Sequence, residues 1–201
     1  MTKAWVRERK RDFYYRKAKE EQYRSRATYK LLEAVKRYRF MKAGDVVVDL
    51  GAAPGGWMQA SLKIVGEEGY VLGVDLEAVE PFDVPNVRTI IGDVADQQTL
   101  RQIEELLPRP ADVVISDVSP NISGVWELDH ARQIDLAQRS LQIATHVLRA
   151  GGNFYVKVFQ GDMLDDFVKV VRRRFGFVKL VKPRASRAKS AELYVVAINL
   201  E

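Results

Sequence analysis

The chain has 201 residues and a mass of 22.9 kDa, the size of one ordinary domain with its own hydrophobic core. Its 47% hydrophobic and 29% charged residues and its net charge of +5 are typical of a globular protein, not of a collagen-like or disordered one. The absence of cysteine excludes a thiol nucleophile, a disulfide and a cysteine-ligated metal site, and two histidines are too few for a histidine-rich one, so we expect no metal.

The N-terminal segment lacks the apolar core of a signal peptide, and no apolar run is long enough to cross a bilayer, which predicts a soluble cytoplasmic protein. Residues 1–42 contain 15 Lys or Arg and 5 Asp or Glu. Such a run is equally typical of a solvated tail and of a polyanion-binding surface. Interleaved aromatic residues favour RNA, because unstacked bases pack on aromatic rings. These residues are Trp5, Phe13, Tyr14, Tyr15, Tyr23 and Tyr29.

Periodicity divides the chain into a basic arm, residues 1–23, and one domain, residues 24–201. The arm is too polar for a core element and is predicted to be mobile or marginally helical. Short apolar runs predict seven strands, at Val46–Leu50, Tyr70–Asp75, Val87–Ile91, Asp112–Asp117, Gly152–Val158, Phe177–Val181 and Leu193–Asn199. Helical spacing predicts helices at Ser25–Tyr38, Trp57–Val65, Gln97–Leu107, Asp129–Leu148 and Met163–Phe175.

Apolar strands that alternate with helices predict an α/β fold, a mostly parallel sheet with helices on both faces. The last two strands follow each other directly, which favours an antiparallel last strand. A second basic stretch, residues 169–189, precedes that strand with 9 basic and no acidic residues, whereas residues 43–168 contain 8 basic and 20 acidic ones. If the two basic ends fold together, they form one surface, to which Lys36, Arg37, Arg39 and residues 172–189 are expected to contribute.

A carboxylate stands at, or just after, the end of each of the first four predicted strands: Asp49, Asp75, Asp93 and Asp117. One such acid would more often only cap a helix. Four in succession point to a ligand, because the carboxyl ends of parallel strands form the edge at which doubly wound sheets bind ligands.

The first strand runs into the sequence DLGAAPGGW, residues 49–57. A dinucleotide fingerprint would require glycine at positions 51, 53 and 56, but Ala53 and Pro54 interrupt it, which disfavours a nicotinamide or flavin enzyme. The turn suits a nucleoside with an amino-acid tail, whose ribose meets Asp75 and whose adenine amino group meets Asp93. This pattern resembles motif I of the S-adenosylmethionine-dependent methyltransferases. The resemblance implies that S-adenosyl-L-methionine is bound by Asp49, Gly51, Pro54, Gly55, Gly56, Trp57, Asp75, Asp93 and Asp117.

Lys157 lies inside an apolar strand, where an ammonium group needs carboxylate partners or a depressed pKa. Lys30, Asp117, Lys157 and Glu192 match in order the Lys-Asp-Lys-Glu tetrad of ribose 2′-O-methyltransferases. With SDVSPN at residues 116–121 and VKVFQG at 156–161, they make the chain resemble the FtsJ-type family over nearly its whole length. The resemblance is strongest to the branch that methylates large-subunit ribosomal RNA.

This resemblance implies a Rossmann-like methyltransferase fold and methylation of a uridine ribose in the A-loop of 23S-type RNA, on an assembled or nearly assembled 50S particle. We expect a monomer. Our hypothesis is that Lys157 contacts the 2′-hydroxyl and steers or accepts its proton, that Asp117 fixes Lys157 near the methyl donor, and that Lys30 and Glu192 orient the ribose. Three alternatives stay open: a tRNA anticodon-loop methyltransferase, a non-catalytic RNA-binding assembly factor, and a tetrad that is only a structural ion network.

Overall fold

The structure, a computed structural model, describes residues 12–187 and 190–201. The strands are β1 (Val46–Leu50), β2 (Tyr70–Asp75), β3 (Val87–Ile91), β4 (Ala111–Ser116), β5 (Leu148–Phe159), β6 (Phe175–Val181) and β7 (Glu192–Leu200). The helices are α1 (Phe13–Glu20), α2 (Thr28–Tyr38), α3 (Gly56–Val65), α4 (Gln97–Leu106), α5 (Trp126–Val147) and α6 (Leu164–Arg172). Within these described parts, no helix has the length and apolarity that a membrane span requires.

The seven strands form one sheet in the order β3-β2-β1-β4-β5-β7-β6. The pairs among β1 to β5 are parallel, and β7 runs antiparallel to both β5 and β6. The prediction of a mostly parallel sheet with an antiparallel last strand is confirmed. Because β7 runs the other way, its first residue, Glu192, lies at the edge where β1 to β5 end.

Two hydrophobic layers cover the sheet, one on each face, because successive side chains of a strand point to opposite sides. On one face, strand residues such as Val48 and Val114 pack with Ile134 of α5 and Phe167 of α6. On the other face, Val47, Val71 and Ile115 pack with residues of α2 and α3, among them Leu31 and Met58. The core therefore lies between the sheet and helices on both sides, as predicted.

Most predicted elements are present, with shifted ends. β1, β2 and β3 have the predicted bounds, whereas β5 begins at Leu148 and not at Gly152. Leu148 pairs with Ala111 of β4 across a register shift, a contact that the local sequence does not reveal. α6 ends at Arg172, three residues before its predicted end, because Phe175 is buried as the first residue of β6.

The described part of the N-terminal arm is a packed helix and not a loose segment. Asp12 caps α1 by accepting a hydrogen bond from the Tyr15 backbone N–H at 3.2 Å, and it forms an ion pair with Arg26. Ala18 is buried against Tyr29 and Ala185. These contacts stabilise a helix that its polar sequence alone would not. The division between arm and domain at residue 23 stays a prediction.

The two basic segments meet only in part. Arg26 donates a hydrogen bond to the Ala185 carbonyl oxygen, and the Arg184 backbone N–H donates one to Glu33 at 2.8 Å, so residues 184–187 lie beside α1 and α2. Arg172–Arg174 immediately precede β6, whose first residue pairs with the last residue of β7. They therefore lie at the opposite end of the strands from Glu192, where the parallel strands β1 to β5 begin. The expectation of one continuous basic surface is wrong for them.

Candidate active site

A cavity of about 340 Å³ opens at the carboxyl edge of the sheet, between the ends of β1, β2, β3 and β4. This volume is within the range of roughly 300–1,000 Å³ that is usual for small-molecule sites. Of the predicted binding residues, four line it: Gly51, Asp75, Asp93 and Asp117. The structure thus brings together three of the four strand-end acids.

Gly51 allows the turn after β1 to approach the turn after β4. Its φ is +79°, a conformation that residues with a side chain rarely adopt, and an added Cβ would lie 2.8 Å from the Val118 backbone nitrogen. Asp117 N–H also donates a hydrogen bond to the Leu50 carbonyl oxygen at 3.0 Å. A side chain at position 51 would therefore push Asp117 and Val118 away from the cavity wall.

Backbone hydrogen bonds fix the two outer acids in place. The Asp75 carboxylate accepts bonds from Ala53 N–H at 2.8 Å and from Glu77 N–H at 3.0 Å. The Asp93 carboxylate accepts one from Ala95 N–H at 2.8 Å. Each carboxylate oxygen has two lone pairs, so both side chains can still accept bonds from hydroxyl or amino groups of a ligand.

Asp49 is fully buried in β1, and neither of its carboxylate oxygens has a hydrogen-bond partner among the described residues. Burial, with the nearby charges of Asp117 and Asp75, raises the pKa of Asp49 well above its ordinary value. Buried polar groups without a partner are costly and uncommon. Asp49 does not itself line the cavity, but a hydrogen-bond donor beside it would lower that cost, which is compatible with a bound ligand that carries donor groups.

The remaining predicted cofactor residues lie on the other side of the glycine turn. Pro54, Gly56 and Trp57 line a narrower slot with Asp117, and Gly55 packs against the Arg24 side chain. The Trp57 ring is buried, donates to the Ala27 carbonyl oxygen at 2.8 Å and stacks on Tyr155 at 5.5 Å between centroids. These contacts fix the Trp57 ring in the core next to the glycine turn. Its contact with a cofactor stays a prediction.

The four residues of the predicted tetrad lie together beside the cavity, as two ion pairs. Lys30 Nζ lies 2.7 Å from Glu192 Oε1 and 2.8 Å from Glu192 Oε2. Lys157 Nζ lies 3.3 Å from Asp117 Oδ1 and donates to the Asp117 carbonyl oxygen at 3.2 Å. All four come from different elements: Lys30 from α2, Asp117 from the end of β4, and the other two from β5 and β7.

Tyr194 joins the two pairs, and sequence reasoning did not find it. Its hydroxyl donates to Asp117 Oδ1 at 2.8 Å and accepts from Lys30 Nζ at 3.2 Å. In the sheet Tyr194 pairs directly with Lys157. The available signal was strand alternation, since Tyr194 stands two residues after Glu192 and hence on the same face of β7.

The charge state of Asp117 follows from this network. Burial acts to raise the pKa of Asp117, but Lys157, Lys30 and the hydrogen bond from Tyr194 outweigh it, so the pKa lies below its ordinary value. Burial and the Asp117 charge raise the pKa of Tyr194 well above the usual value for tyrosine. Asp117 is therefore an anion at neutral pH, and Tyr194 is a neutral phenol that donates to it.

A second unpredicted residue, Gln133 of α5, supports the backbone around the tetrad. Its side chain is almost fully buried, and its amide Nε2 donates to the carbonyl oxygens of Val118 and Lys157, each at 3.1 Å. One side chain thus ties the turn that follows Asp117 to the strand that carries Lys157. In the sequence Gln133 is one polar residue in an amphipathic helix, and nothing there marks it.

Comparison with known proteins gives a consistent result. The family described as FtsJ-like methyltransferase matches residues 23–200. A Methanocaldococcus jannaschii protein named ribosomal RNA large subunit methyltransferase E is 53% identical over 198 residues, which cover 97% of this chain and 81% of that protein. A protein of the same name from Methanothermobacter thermautotrophicus is 50% identical over 196 residues, 98% of this chain and 93% of that one.

Among solved structures, a Plasmodium falciparum protein provisionally described as a ribosomal RNA methyltransferase superposes with a TM-score of 0.78. The two chains are 26% identical, and the match covers 89% of this chain and 98% of the other.

Proposed function

Because the chain belongs to the FtsJ-like methyltransferase family, we propose that it transfers a methyl group from S-adenosyl-L-methionine to a ribose 2′-hydroxyl of large-subunit ribosomal RNA. One observation carries this proposal: Asp117 both lines the strand-end cavity and contacts Lys157 of the tetrad. A methyl donor in the cavity and a hydroxyl at the tetrad would meet at this residue.

The acidic side chains at the strand ends make the cavity suitable for S-adenosyl-L-methionine. Asp75 and Asp93 offer oriented carboxylates to the ribose hydroxyls and the adenine amino group. Asp49 does not line the cavity, but its buried carboxyl group has no hydrogen-bond partner among the described residues. When bound, S-adenosyl-L-methionine supplies an electrophilic methyl group on a sulfonium centre. The resemblance noted above also assigns Pro54, Gly55, Gly56 and Trp57 to this site.

The tetrad is suited to the methyl acceptor, a ribose 2′-hydroxyl. An in-line displacement requires mainly that the attacking oxygen be aligned with the methyl carbon and that its proton have a route away. Lys157 is placed to hold the 2′-hydroxyl and to steer its proton away as the oxygen–carbon bond would form and the carbon–sulfur bond of the donor would break. It can accept that proton only as a neutral amine, because an ammonium group has no lone pair. Asp117 fixes Lys157, while Lys30 and Glu192 hold each other in one geometry and orient the ribose.

For the substrate, we infer a uridine in the A-loop of 23S-type RNA, presented by an assembled or nearly assembled large subunit. The name shared by the close relatives supports large-subunit RNA. The basic side chains of α1 and of residues 184–187 lie at the same edge of the sheet as the tetrad, where they can contact phosphates.

The test is a transfer assay in which cofactor carrying a labelled methyl group is mixed with the protein and with 50S particles, naked large-subunit RNA or tRNA. We expect label on the 50S particles, recovered after nuclease digestion as 2′-O-methyluridine. Label on tRNA alone would assign the substrate to the anticodon-loop alternative. Binding of cofactor and RNA without any transfer would identify a non-catalytic assembly factor.

A further inference from the structure

An exposed apolar surface lies beside the tetrad, around the start of α5. Five large apolar side chains there are between 41% and 63% exposed: Ile122, Val125, Trp126, Leu128 and Met163. None of them has a place in the cofactor cavity or the tetrad. Monomeric proteins seldom expose large apolar side chains in a cluster unless the cluster binds something.

Trp126 is the centre of this surface and is close to the tetrad. Its ring is 45% exposed and lies nearly parallel to that of Phe159, 6.1 Å away between centroids. Phe159 ends β5, two residues after Lys157, and pairs in the sheet with Glu192. One aromatic ring therefore separates Trp126 from the residues proposed to hold the target ribose.

The Trp126 ring is held in a defined position. It also stacks on His130 at 6.1 Å, with 20° between the planes. His130 accepts a hydrogen bond from the Met163 backbone N–H at 3.1 Å. The loop before Trp126 is fixed by Asp129, which accepts bonds from Ser123 N–H at 2.8 Å and Gly124 N–H at 3.1 Å. A fixed, exposed ring loses little conformational freedom when it binds a flat ligand.

The charge around this ring selects the kind of ligand. Residues 119–132 and 158–168 contain five acidic residues and one basic residue, Arg132, whose charge acts on Asp129. These segments have a net negative charge and disfavour phosphates, whereas the basic side chains of α1 and residues 184–187 can neutralise them. A nucleobase, in contrast, has an uncharged aromatic face that stacks on tryptophan.

We propose that Trp126 is a stacking platform for an unpaired nucleobase of the RNA, the target base or its immediate neighbour. The phosphates of the same strand lie towards the basic side of the active site. This inference rests on the proposed function only in taking RNA as the ligand. RNA recognition by unstacked loop bases usually involves such aromatic contacts.

The experiment measures the binding of the full chain to a short oligouridylate and to the same strand without bases, with no methyl transfer required. We expect Trp126→Ala to weaken oligouridylate binding about tenfold, with no effect on the abasic strand. Trp126→Phe, which keeps a stacking ring, should restore most of the affinity. The oligouridylate should quench tryptophan fluorescence in the parent protein and clearly less in Trp126→Phe.

Phe177→Ala is the matched control, because Phe177 is a 46% exposed aromatic residue on β6, away from the tetrad. It should leave both affinities unchanged. Equal affinities of Trp126→Ala and the parent protein for oligouridylate would overturn the proposal. An equal loss of affinity of Trp126→Ala for the abasic strand would also overturn it. A loss of affinity confined to intact 50S particles would overturn it as well, because it would indicate a protein partner. If methyl transfer fails while base-dependent quenching persists, only the proposed function is contradicted.

Discussion

Asp49 is a carboxyl group at the centre of the sheet, with no hydrogen-bond partner among the described residues and a pKa raised by burial. As the pH rises above the ordinary carboxyl pKa, the unfolded chain ionises before the folded one, so stability falls until the pH passes the folded pKa. Asp49→Asn removes that cost. We expect it to stabilise the cofactor-free protein at pH 8 by about 1 kcal/mol, and the gain to vanish near pH 3.

Thermal unfolding across this pH range measures the effect, with Asp83→Asn, at an exposed position in the loop before β3, as the control. If Asp49 contacts S-adenosyl-L-methionine, as the motif resemblance implies, the same Asp49→Asn variant should also bind this cofactor more weakly. A variant that is less stable at pH 8 than the parent would show that Asp49 already has a partner in the protein.

Lys157 is the residue on which the proposed proton route depends. Lys157→Ala should reduce single-turnover methylation by at least about 100-fold, the usual range for a residue that moves a proton in the transition state. Cofactor affinity should stay nearly unchanged, because the cavity is lined by other side chains. Lys169→Ala, at an exposed lysine of α6, is the control and should leave turnover unchanged. Near-normal turnover by Lys157→Ala would assign Lys157 a structural role.

At the scale of elements, the loop between β4 and α5 forms one wall of the strand-end cavity through Ser119, Pro120 and Asn121. Asp129 holds the second half of this loop, and hydrogen bonds from Ser123 and Gly124 lower the pKa of Asp129. The folded state thus gains stability from the ionised form. That contribution is complete above the ordinary carboxyl pKa and is lost as the pH falls through the lower, folded pKa.

Asp129→Asn should therefore melt at a lower temperature than the parent at pH 7 and should bind cofactor more weakly. The difference in melting temperature should shrink below about pH 4, where the unfolded parent chain begins to bind a proton at Asp129 before the folded one does. Asp135→Asn, on an exposed position of the same helix, is the matched control. An unchanged cofactor affinity in Asp129→Asn would show that the loop does not depend on this residue for its position.

The sequence predicted the elements well where local patterning determines them. β1, β2 and β3 are apolar runs bounded by charged or turn residues, and they have the predicted bounds. The start of β5 was missed because Leu148 was predicted as the end of a helix and the strand was predicted to begin at Gly152. In the structure Leu148 pairs with Ala111 of β4 across a register shift, which extends the strand. Single-chain periodicity cannot show such pairing.

The same distinction applies to the site. The tetrad and the strand-end acids were found because residue type and order mark them. Tyr194 and Gln133 were missed because their roles depend on register and packing: Tyr194 lies opposite Lys157 in an antiparallel pair, and Gln133 reaches two carbonyl groups across a helix–sheet contact. These contacts exist only in the folded chain.

At the scale of the whole molecule, the charges are arranged around the carboxyl edge of the sheet. Acidic side chains line the strand-end cavity, while basic side chains of α1 and of residues 184–187 lie on one side of the tetrad. Arg173 and Arg174 have the same charge but lie at the other end of the strands, away from the tetrad. Net charge alone would not distinguish these two groups.

We therefore expect the salt dependence of RNA binding to depend on position. Lys19→Gln and Arg187→Gln should each weaken binding and reduce the slope of log affinity against log salt by about 1. Arg173→Gln and Arg174→Gln, with the same change of charge, should have little effect. Titrations of large-subunit RNA at several salt concentrations measure both quantities. Equal slopes for the two pairs would mean that RNA does not approach at the tetrad edge.

The most direct test of ribose methylation as the function is a map of 2′-O-methyl groups on large-subunit RNA from cells with and without this protein. Removal of the protein should abolish one methyl group, on a uridine ribose of the A-loop. The parent chain should restore it, and Lys157→Ala should not, even when it is present at the same level. An unchanged methyl map after removal of the protein would contradict ribose methylation as its function.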